Sequence, residues 1–263
     1  MKNYTTVLSI AGSDSIGGAG IQADIKTCQA NKVYAMTAIT AVTAQNTKGV
    51  KRWRPVPAGL LKEQLEAVIE DVRPDAVKVG MLPNARAVNV VARWLKKHSL
   101  ANVVVDPVLV ATSGHALSDQ NTVDALLNNL FPVADIVTPD HHELFILSQQ
   151  DPMEKGSVDA GVSVLMKYCR ALLVKGGDCN GDLITDLLYT SEGVGRLCHD
   201  RLPSINTHGT GCTLSSAIAC FLAKGYSLKS AVSMAIDYTL RAIEQGIPYK
   251  LGHGHGPLNH SFF

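Results

Sequence analysis

The sequence predicts an α/β protein with a mostly parallel central sheet covered by helices. Short, nearly continuous apolar runs recur along the chain, as expected of parallel strands that are buried on both faces. Between these runs lie segments in which apolar residues repeat at helical spacing. The chain has 263 residues, of which 46% are hydrophobic and 18% charged, and this composition suits a single domain over residues 1–263 with a sizeable core.

Six apolar runs are predicted as the strands of this sheet, because each is short and rich in β-branched residues. They cover residues 6–10, 35–43, 76–79, 103–105, 136–138 and 172–174. The stretch after the last run departs from this rhythm and predicts an antiparallel hairpin at an edge of the sheet, over residues 183–190 and 196–202. Ser227 is predicted to cap the last long helix, which runs to about Gln245.

Charge and composition narrow the classes of function. The formal net charge is +1 and no run of Lys or Arg stands out, so the chain is not expected to bind nucleic acid or an anionic membrane surface. The six cysteines form no C-x-x-C pair, and we expect reduced thiols. The sequence shows neither a signal peptide nor an apolar run of about 18 residues, and we therefore expect a cytoplasmic protein.

The segment at residues 206–215 predicts an anion site. Gly209 and Gly211 flank Thr210, and Cys212 follows directly at the start of a helix of small residues. Free N–H groups at a helix N-terminus point outward and the helix dipole favours negative charge there, while glycine lets the backbone approach an anion closely. The same field is expected to lower the pKa of the Cys212 thiol. The alternative is a glycine-rich helix entry with a buried structural cysteine.

Polar residues follow four of the other predicted strands. Asp106 ends the most apolar strand and could bind Mg²⁺, with Glu143 joining the metal shell. Lys175 stands beside two glycines, which suits a cation over phosphates, and the Gln45 amide suits a ring that bears both a donor and an acceptor. Asp106 has an alternative as part of an ordinary Asp-Pro turn, and Gln45 has an alternative as an exposed turn residue. Ligands of open α/β sheets bind at the carboxyl ends of the strands, where all four would meet.

The loop after the first strand is less specific. Residues 11–20 carry four glycines and lead into a helix, as nucleotide-binding loops do. The loop lacks the Gly-Lys pair of a P-loop and matches G-x-G-x-x-G poorly. Asp14 and Asp24 could bind a polar substrate, or they could cap and solvate the turn. The adjacent His141 and His142 find no third ligand at zinc spacing, so zinc is not expected.

Together these motifs resemble the hydroxymethylpyrimidine and phosphomethylpyrimidine kinases of thiamine biosynthesis, in the ribokinase-like superfamily. The resemblance extends from Ser9 to about His260. It rests on segments in family order: IAGSDSIGGAGIQADIKT, TAVTAQNTKGV, KVGMLP, VVVDPV, VKGG, NTHGTGCTLSSAIA and GHGHGP. It implies a three-layer sandwich of helices, sheet and helices, without the separate lid of sugar kinases. It also implies ATP and Mg²⁺ as cofactors and a homodimer, for which the hairpin over 183–202 offers an edge.

The resemblance further implies roles for individual residues. Gly209, Thr210, Gly211 and Cys212 would form an anion hole over the γ-phosphate, with Cys212 in place of the aspartate base of most of the superfamily. We hypothesise that Cys212 helps to deprotonate the substrate hydroxymethyl group, and Gln45 would read the pyrimidine ring. Gly12, Asp24, Met81 and Val108 would line the same pocket, Asp106 and Glu143 would organise Mg²⁺, and Lys175 and Thr207 would approach ATP.

The sequence departs from the family pattern at one position. Asp140 stands where the family segment TPNxxE carries asparagine, which places another carboxylate near the expected metal and phosphates. Near the C-terminus, His253, His255 and His260 resemble a metal cluster. The glycines among them instead predict a loop that closes over the nucleotide edge of the site.

Other functions compete with the kinase of thiamine biosynthesis. A pyridoxal kinase of the same subfamily also carries the cysteine, but the pyridoxal-type members have an apolar residue in place of Gln45, and dual activity stays open. A non-catalytic nucleotide or vitamin sensor is disfavoured because Cys212, Asp106 and Lys175 are all present. A sugar kinase is disfavoured by the cysteine and by the missing lid segment.

Overall fold

The computed structural model describes residues 3–109, 119–154, 156–180 and 182–262. Within these ranges the strands form one nine-stranded sheet in the order β3-β2-β1-β4-β5-β6-β7-β8-β9. The strands are β1 Thr6–Ser13, β2 Tyr34–Asn46, β3 Gly49–Pro55, β4 Ala76–Val79, β5 Val103–Val105, β6 Ile136–Val137, β7 Leu172–Asn180, β8 Leu183–Thr190 and β9 Gly193–Asp200.

The centre of the sheet is parallel and its two margins are antiparallel. Strands β2, β1, β4, β5, β6 and β7 pair in parallel, whereas β3 pairs antiparallel with β2 and the β8–β9 hairpin continues antiparallel from β7. The predicted hairpin is therefore confirmed, with a tighter turn of Ser191 and Glu192 between the strands. Strand β3 was not predicted, because its sequence GVKRWRP is an exposed edge strand with no apolar run.

Helices cover both faces of the sheet, as the sequence predicts. They are α1 Gly20–Ala30, α2 Ala58–Asp71, α3 Ala85–His98, α4 Gln120–Ala125, α5 His141–Ser148, α6 Ser157–Leu165, α7 Thr210–Ala223 and α8 Leu228–Glu244. After α4 the chain continues through a π-helical turn, Leu126–Leu130, and a 3₁₀ turn, Phe131–Val133. The predicted cap of α8 is confirmed, since the Ser227 hydroxyl accepts a hydrogen bond from the backbone N–H of Ser230.

The core consists of two apolar layers, one on each side of the sheet. Side chains of a strand alternate between the layers: Leu8 and Ile10 of β1 face the layer that contains α2 to α6, and Val7 faces the layer that contains α1, α7 and α8. The result is the three-layer sandwich expected from the sequence. Among the described residues, no helix combines the length and apolar character needed to cross a membrane.

Candidate active site

A cavity of about 920 Å³, including its open mouth, lies at the carboxyl ends of the parallel strands. Parallel strands end at the same edge of a sheet, so residues that follow them in sequence meet in space. Among the predicted site residues, the cavity is lined by Gly12, Gln45, Met81, Asp106, Val108, Glu143, Lys175, Thr207, Gly209, Thr210, Gly211 and Cys212. The structure brings all of the predicted site residues together here except Asp24.

The segment at residues 209–212 is called the anion loop here, and the conformation of its backbone depends on Gly209. This residue is the N-cap of α7 and adopts a left-handed conformation with φ 89°. A Cβ atom here would overlap the carbonyl oxygen of Gly18, so no other residue fits without moving the loop. The first i to i−4 bond of α7 runs from the N–H of Thr213 to the carbonyl of Gly209. The N–H group of Thr210 donates to the carbonyl of Thr207 at 3.2 Å, whereas the N–H groups of Gly211 and Cys212, in the same first turn of α7, are placed where a helix end can bind an anion.

The Cys212 thiol lies in the first turn of α7 and is half-buried. Burial raises the pKa of this thiol to about 11, although the Lys78 ammonium and the backbone N–H of Gly20 act in the opposite direction. The sequence-based expectation of a lowered pKa is therefore wrong for this structure. Desolvation and the negative charges of Asp24 and Asp106 outweigh the Lys78 charge and the hydrogen bond from Gly20.

Lys175 connects the two carboxylates that the sequence assigned to a metal. Its Nζ lies 3.0 Å from Oδ1 of Asp106 and 3.6 Å from Oε2 of Glu143. Although burial alone would raise the pKa of Asp106, the Lys175 and Lys78 charges hold it below its ordinary value. Burial raises the pKa of Glu143 to about 7 against the opposing effect of Lys175. These groups converge on one wall of the cavity, with a cation between two oxygen donors.

Asp140, the position that departs from the family pattern, has a structural role in this wall. It is the N-cap of α5, and its Oδ1 accepts a hydrogen bond of 2.8 Å from the Glu143 N–H. Oε2 of Glu143 accepts in return from the Asp140 N–H at 2.9 Å, which completes a capping box. Asparagine could make the same cap, so the substitution preserves the local structure and adds a charge.

Replacing Asp140 by asparagine is expected to change the free energy of unfolding by only about 0.3 kcal/mol, because the two residues cap helices almost equally well. Replacing Asp140 by alanine removes the capping oxygen and is expected to lower the free energy of unfolding by about 1 kcal/mol. Urea denaturation of the two variants measures the difference. If asparagine lowers the free energy of unfolding as much as alanine does, the stabilisation comes from the carboxylate charge of Asp140 and not from its role as a cap.

Gln45 lies at the end of β2 and lines the same cavity. Its backbone is fixed by Ser15, whose hydroxyl accepts from the Gln45 N–H at 2.8 Å and donates to its carbonyl oxygen at 2.7 Å. The side-chain amide lies 3.3 Å from the Thr43 hydroxyl and 3.3 Å from Nε2 of His208. The two hydrogen bonds with Ser15 thus fix the backbone that carries the Gln45 amide, which lines the cavity.

Asp24 does not line the cavity, which corrects its sequence-based placement. It is fully buried beneath the site, where both of its carboxylate oxygens accept hydrogen bonds of 2.9 Å from Nζ of Lys78. The hydroxyls of Ser9 and Ser216 donate to the same carboxylate. Asp24 therefore joins α1, β1, β4 and α7 through these hydrogen bonds and is not among the residues that line the cavity.

Two functional features were missed by sequence reasoning. Lys78 was read as part of an apolar strand, although a lysine within the run AVKV is itself a signal of a buried partner. His208 precedes Gly209, and its Nε2 lies 2.8 Å from Oδ2 of Asp14. That position next to the anion loop is a weak signal, because a single histidine in a loop is usually exposed. The partner Asp14 is 194 positions away in sequence.

A second cavity, of about 1210 Å³, adjoins the first at the anion loop. The two cavities share Asp140, Lys175, Thr210 and Gly211. The lining of the second cavity includes apolar side chains of α7 and α8, namely Leu214, Ile236, Leu240 and Ile243. It also includes polar side chains of α5, β8 and β9 and the residue after β9, namely His141, His142, Asp186, His199 and Arg201. A ligand with an apolar part and an anionic end could therefore place its anionic end beside Lys175 and next to the first cavity.

The C-terminal glycine segment packs on the β2–β3 turn and beside the anion loop. The N–H groups of His253 and Gly254 donate to the Thr47 hydroxyl at 3.2 Å each, and the carbonyl of Gly256 accepts from the His208 N–H at 3.0 Å. Nε2 of His260 pairs with the Thr213 hydroxyl at 2.9 Å. Among the residues that the structure describes, no group of three histidine, cysteine or acidic side chains could hold a metal ion.

The amino-acid sequence of this chain matches a family of known proteins. A family model described as phosphomethylpyrimidine kinase matches residues 14–259. A hydroxymethylpyrimidine/phosphomethylpyrimidine kinase of Rhizobium meliloti is 43% identical over 255 residues, which cover 96% of each protein. A thiamine biosynthesis bifunctional protein of Geobacter sulfurreducens is 42% identical, and the matched part is 52% of its length. The chain thus spans nearly all of one relative and about half of the other.

Solved structures give the same result for the fold. The ADP complex of Bacillus subtilis pyridoxal kinase superposes with a TM-score of 0.89 at 32% identity and covers 98% of both chains. A phosphomethylpyrimidine kinase from Clostridium difficile superposes with a TM-score of 0.78 at 37% identity, and covers 90% of this chain and 99% of that one. With these matches and the two adjoining cavities, the chain belongs to the phosphomethylpyrimidine kinase family, a family of phosphotransferases with the ribokinase-like fold.

Proposed function

We propose that this chain transfers the γ-phosphoryl group of ATP to 4-amino-5-hydroxymethyl-2-methylpyrimidine, and then a second phosphoryl group to the resulting monophosphate, in thiamine biosynthesis. The observation that carries the proposal is that Gln45 and the anion loop line the same cavity. The amide can pair with a ring that carries a donor and an acceptor. The loop N–H groups can hold the phosphoryl group that is transferred to the arm of that ring.

The second cavity supports ATP as the phosphoryl donor. Its apolar lining suits a flat base, and its shared wall with the first cavity carries Lys175, which suits the phosphates. The pKa of Lys175 is raised, because Asp106 and Glu143 outweigh the effect of burial, so the side chain is a permanent cation. The solved relative from Bacillus subtilis, an ADP complex, supports the same assignment.

The donor set of the cavity wall fits Mg²⁺. Asp106 and Glu143 supply carboxylate oxygens that already converge on Lys175, and hard oxygen donors are the ligands that Mg²⁺ prefers. Mg²⁺ at phosphoryl-transfer sites is held by one or two carboxylates, and phosphates and water complete its shell. When bound, the ion would neutralise charge on the phosphates. We therefore assign Asp106 and Glu143 to this role.

The mechanism proposed is an in-line displacement, in which positioning and charge stabilisation do most of the work. Gln45 orients the ring so that its hydroxymethyl oxygen faces the phosphoryl group. The N–H groups of Gly211 and Cys212 and the Lys175 ammonium stabilise charge on the transferred group. In the first step the thiolate form of Cys212, a small fraction at neutral pH because the thiol pKa is about 11, takes the hydroxyl proton and becomes the thiol. The nucleophile of the second step is a phosphate oxygen, which is already ionised and needs no base.

The substrate assignment is tested by a kinase assay with ATP and Mg²⁺ that offers hydroxymethylpyrimidine, its monophosphate and pyridoxal in parallel. We expect kcat/KM for the two pyrimidines to exceed that for pyridoxal by roughly tenfold to a hundredfold, because the buried polar groups of the site would be left unpaired by the wrong ring. Equal or better turnover of pyridoxal would retain the fold and the phosphotransferase class and reject the pyrimidine assignment.

A second candidate function is pyridoxal kinase activity, alone or together with pyrimidine phosphorylation. The observation in its favour is the TM-score of 0.89 to a pyridoxal kinase, against 0.78 to a phosphomethylpyrimidine kinase. Both substrates are flat heteroaromatic rings with a hydroxymethyl arm, so the same cavity could hold either. The greater sequence identity to the pyrimidine kinase favours the first candidate.

We further propose that the chain acts in the cytoplasm as a homodimer. The support for a dimer is the outermost strand β9, which pairs only with β8 among the described residues and carries the exposed Val194 near the turn. An unpaired edge strand is a site for strand pairing between chains. Light scattering coupled to size exclusion measures the mass in solution, and a monomer at micromolar concentration rejects this proposal.

A further inference from the structure

His208 connects three other parts of the chain with the anion loop, two of them through its side chain and one through its backbone. The residue is only 4% exposed. Its Nε2 lies 2.8 Å from Oδ2 of Asp14 in the β1–α1 loop and 3.3 Å from the Gln45 amide at the end of β2. Its backbone N–H donates to the carbonyl of Gly256 at 3.0 Å, and Gly209 of the anion loop follows it directly. The residue thus connects the ring-reading amide with the loop that holds phosphate.

The hydrogen bonds of Asp14 indicate which ring nitrogen of His208 carries a proton. That carboxylate accepts hydrogen bonds from the backbone N–H groups of Ile16, Gly18 and Ala19, at 3.1, 3.0 and 2.9 Å. Burial alone would raise the pKa of Asp14, but the hydrogen bonds with His208 and these N–H groups lower it. Asp14 is therefore an ionised acceptor, and Nε2 of His208 must carry the proton that it donates to Asp14.

A protonated Nε2 decides which end of the Gln45 amide can face it. The one proton on Nε2 of His208 is donated mainly to Asp14 at 2.8 Å, so the Gln45 atom at 3.3 Å can only be the weaker acceptor of the same, shared hydrogen bond. An amide oxygen can fill that place, whereas an amide N–H group would oppose the N–H of His208. On the other side, the Thr43 hydroxyl donates its one proton to the carbonyl oxygen of Ser13 at 2.9 Å. Its lone pairs can therefore accept from an amide N–H. In the structure, Oε1 of Gln45 lies 3.3 Å from this hydroxyl and Nε2 of Gln45 lies 3.3 Å from Nε2 of His208, so a match to both neighbours requires the two ends of the amide to be exchanged. The oxygen and nitrogen ends of an amide are assigned by such partners.

We propose that His208 is a positioning residue that holds the Gln45 amide with its oxygen towards His208 and its NH₂ group towards Thr43. This inference rests on the proposed function, and it deepens that function by naming the recognition chemistry. One amide N–H and one oxygen lone pair then remain side by side, facing the cavity. They match a six-membered ring with an amino group next to a ring nitrogen. Pyridoxal has no such adjacent pair, since a methyl-bearing carbon separates its ring nitrogen from its phenol group.

The test is a comparison of His208→Phe and His208→Gln with wild type, in the complete chain. Phenylalanine fills the space without an N–H donor, and glutamine restores a donor near the position of Nε2. We expect His208→Phe to raise KM for hydroxymethylpyrimidine by roughly tenfold to a hundredfold, with a much smaller change in kcat and in the constants for pyridoxal. His208→Gln should recover most of this loss. His255→Phe, at an exposed histidine, is the matched control and should behave as wild type.

Equal losses on both substrates, or a His208→Gln variant no better than His208→Phe, would show that His208 is merely structural and would overturn the inference. If His208→Phe does not fold, Thr43→Val removes the opposite partner of the amide. It must then give the same selective rise in KM for the pyrimidine, and an unchanged selectivity overturns the inference.

A spectroscopic readout separates this inference from the proposed function. The side-chain NH₂ resonances of Gln45, assigned with Gln45→Glu, report the amide without any substrate. We expect them to shift and to exchange faster with solvent in His208→Phe, and to remain unchanged in His255→Phe. Resonances that do not respond to His208→Phe overturn the inference. A wild-type enzyme that prefers pyridoxal rejects the proposed substrate and leaves this NMR result to decide the role of His208.

Discussion

The Cys212→Ala variant is expected to phosphorylate the hydroxymethyl substrate about 10²–10⁴-fold more slowly than wild type, which is the usual contribution of a general base. The same variant is expected to phosphorylate the monophosphate at close to the wild-type rate. The difference arises because the first nucleophile is an alcohol that must lose a proton, whereas the second is already an anion. Steady-state kinetics with each substrate in turn measures both steps.

The pH dependence gives an independent check of this role. Since the pKa of the Cys212 thiol is raised to about 11, the fraction of thiolate increases with pH throughout the neutral range. If the thiolate is the base, kcat/KM of the first step should rise about tenfold per pH unit from roughly pH 7 to 9. The second step should not share this rise. A Cys212→Ala enzyme with near-normal rates in both steps would remove the base role and leave the loop N–H groups as the main contribution of this segment.

The Lys78→Met variant is expected to lose about 3–5 kcal/mol in the free energy of unfolding, because it leaves the Asp24 carboxylate buried without its cation. Both side chains are 0% exposed and their charged atoms are 2.9 Å apart. Asp24 and Asp106 outweigh the effect of burial and raise the pKa of Lys78, so the side chain is charged in the native protein. Urea denaturation at neutral pH measures the loss.

A matched control is available on the surface. Lys97 forms an ion pair of 3.1 Å with Glu66, but its side chain is 63% exposed, so Lys97→Met should be indistinguishable from wild type in the same experiment. The double variant Lys78→Met with Asp24→Leu should be more stable than Lys78→Met alone, since it removes the unpaired charge as well. A Lys78→Met protein with wild-type stability would contradict the assignment of a buried, charged pair.

The Lys78–Asp24 pair also bears on the site above it. Asp24 accepts hydrogen bonds from Ser9 of β1 and Ser216 of α7, so the pair joins the first strand to the helix that carries the anion loop. The charge of Lys78 lowers the pKa of Cys212, and the charge of Asp24 raises it. Changes at either residue are therefore expected to alter the reactivity of the thiol as well as the stability of the fold.

Local patterns in the sequence determined the architecture and the position of the site. Apolar runs predicted every central parallel strand, because a strand buried on both faces must be apolar along its length. The anion loop was predicted from the glycines that precede α7, since a helix N-terminus binds anions through its own backbone. The meeting of Gln45, Asp106 and Lys175 in one cavity follows from the common edge at which parallel strands end.

Tertiary structure decided what those residues contact and how they are charged. Strand β3 is polar and exposed, so only its pairing with β2 defines it. The pKa of Cys212 depends on the groups that bury it, which no local pattern reports. Asp24 and Lys78 form a contact although they are 54 residues apart in sequence, and His208 and Asp14 do so although they are 194 residues apart. Such partners are chosen by packing and by the need to satisfy buried charge, and both are properties of the folded chain.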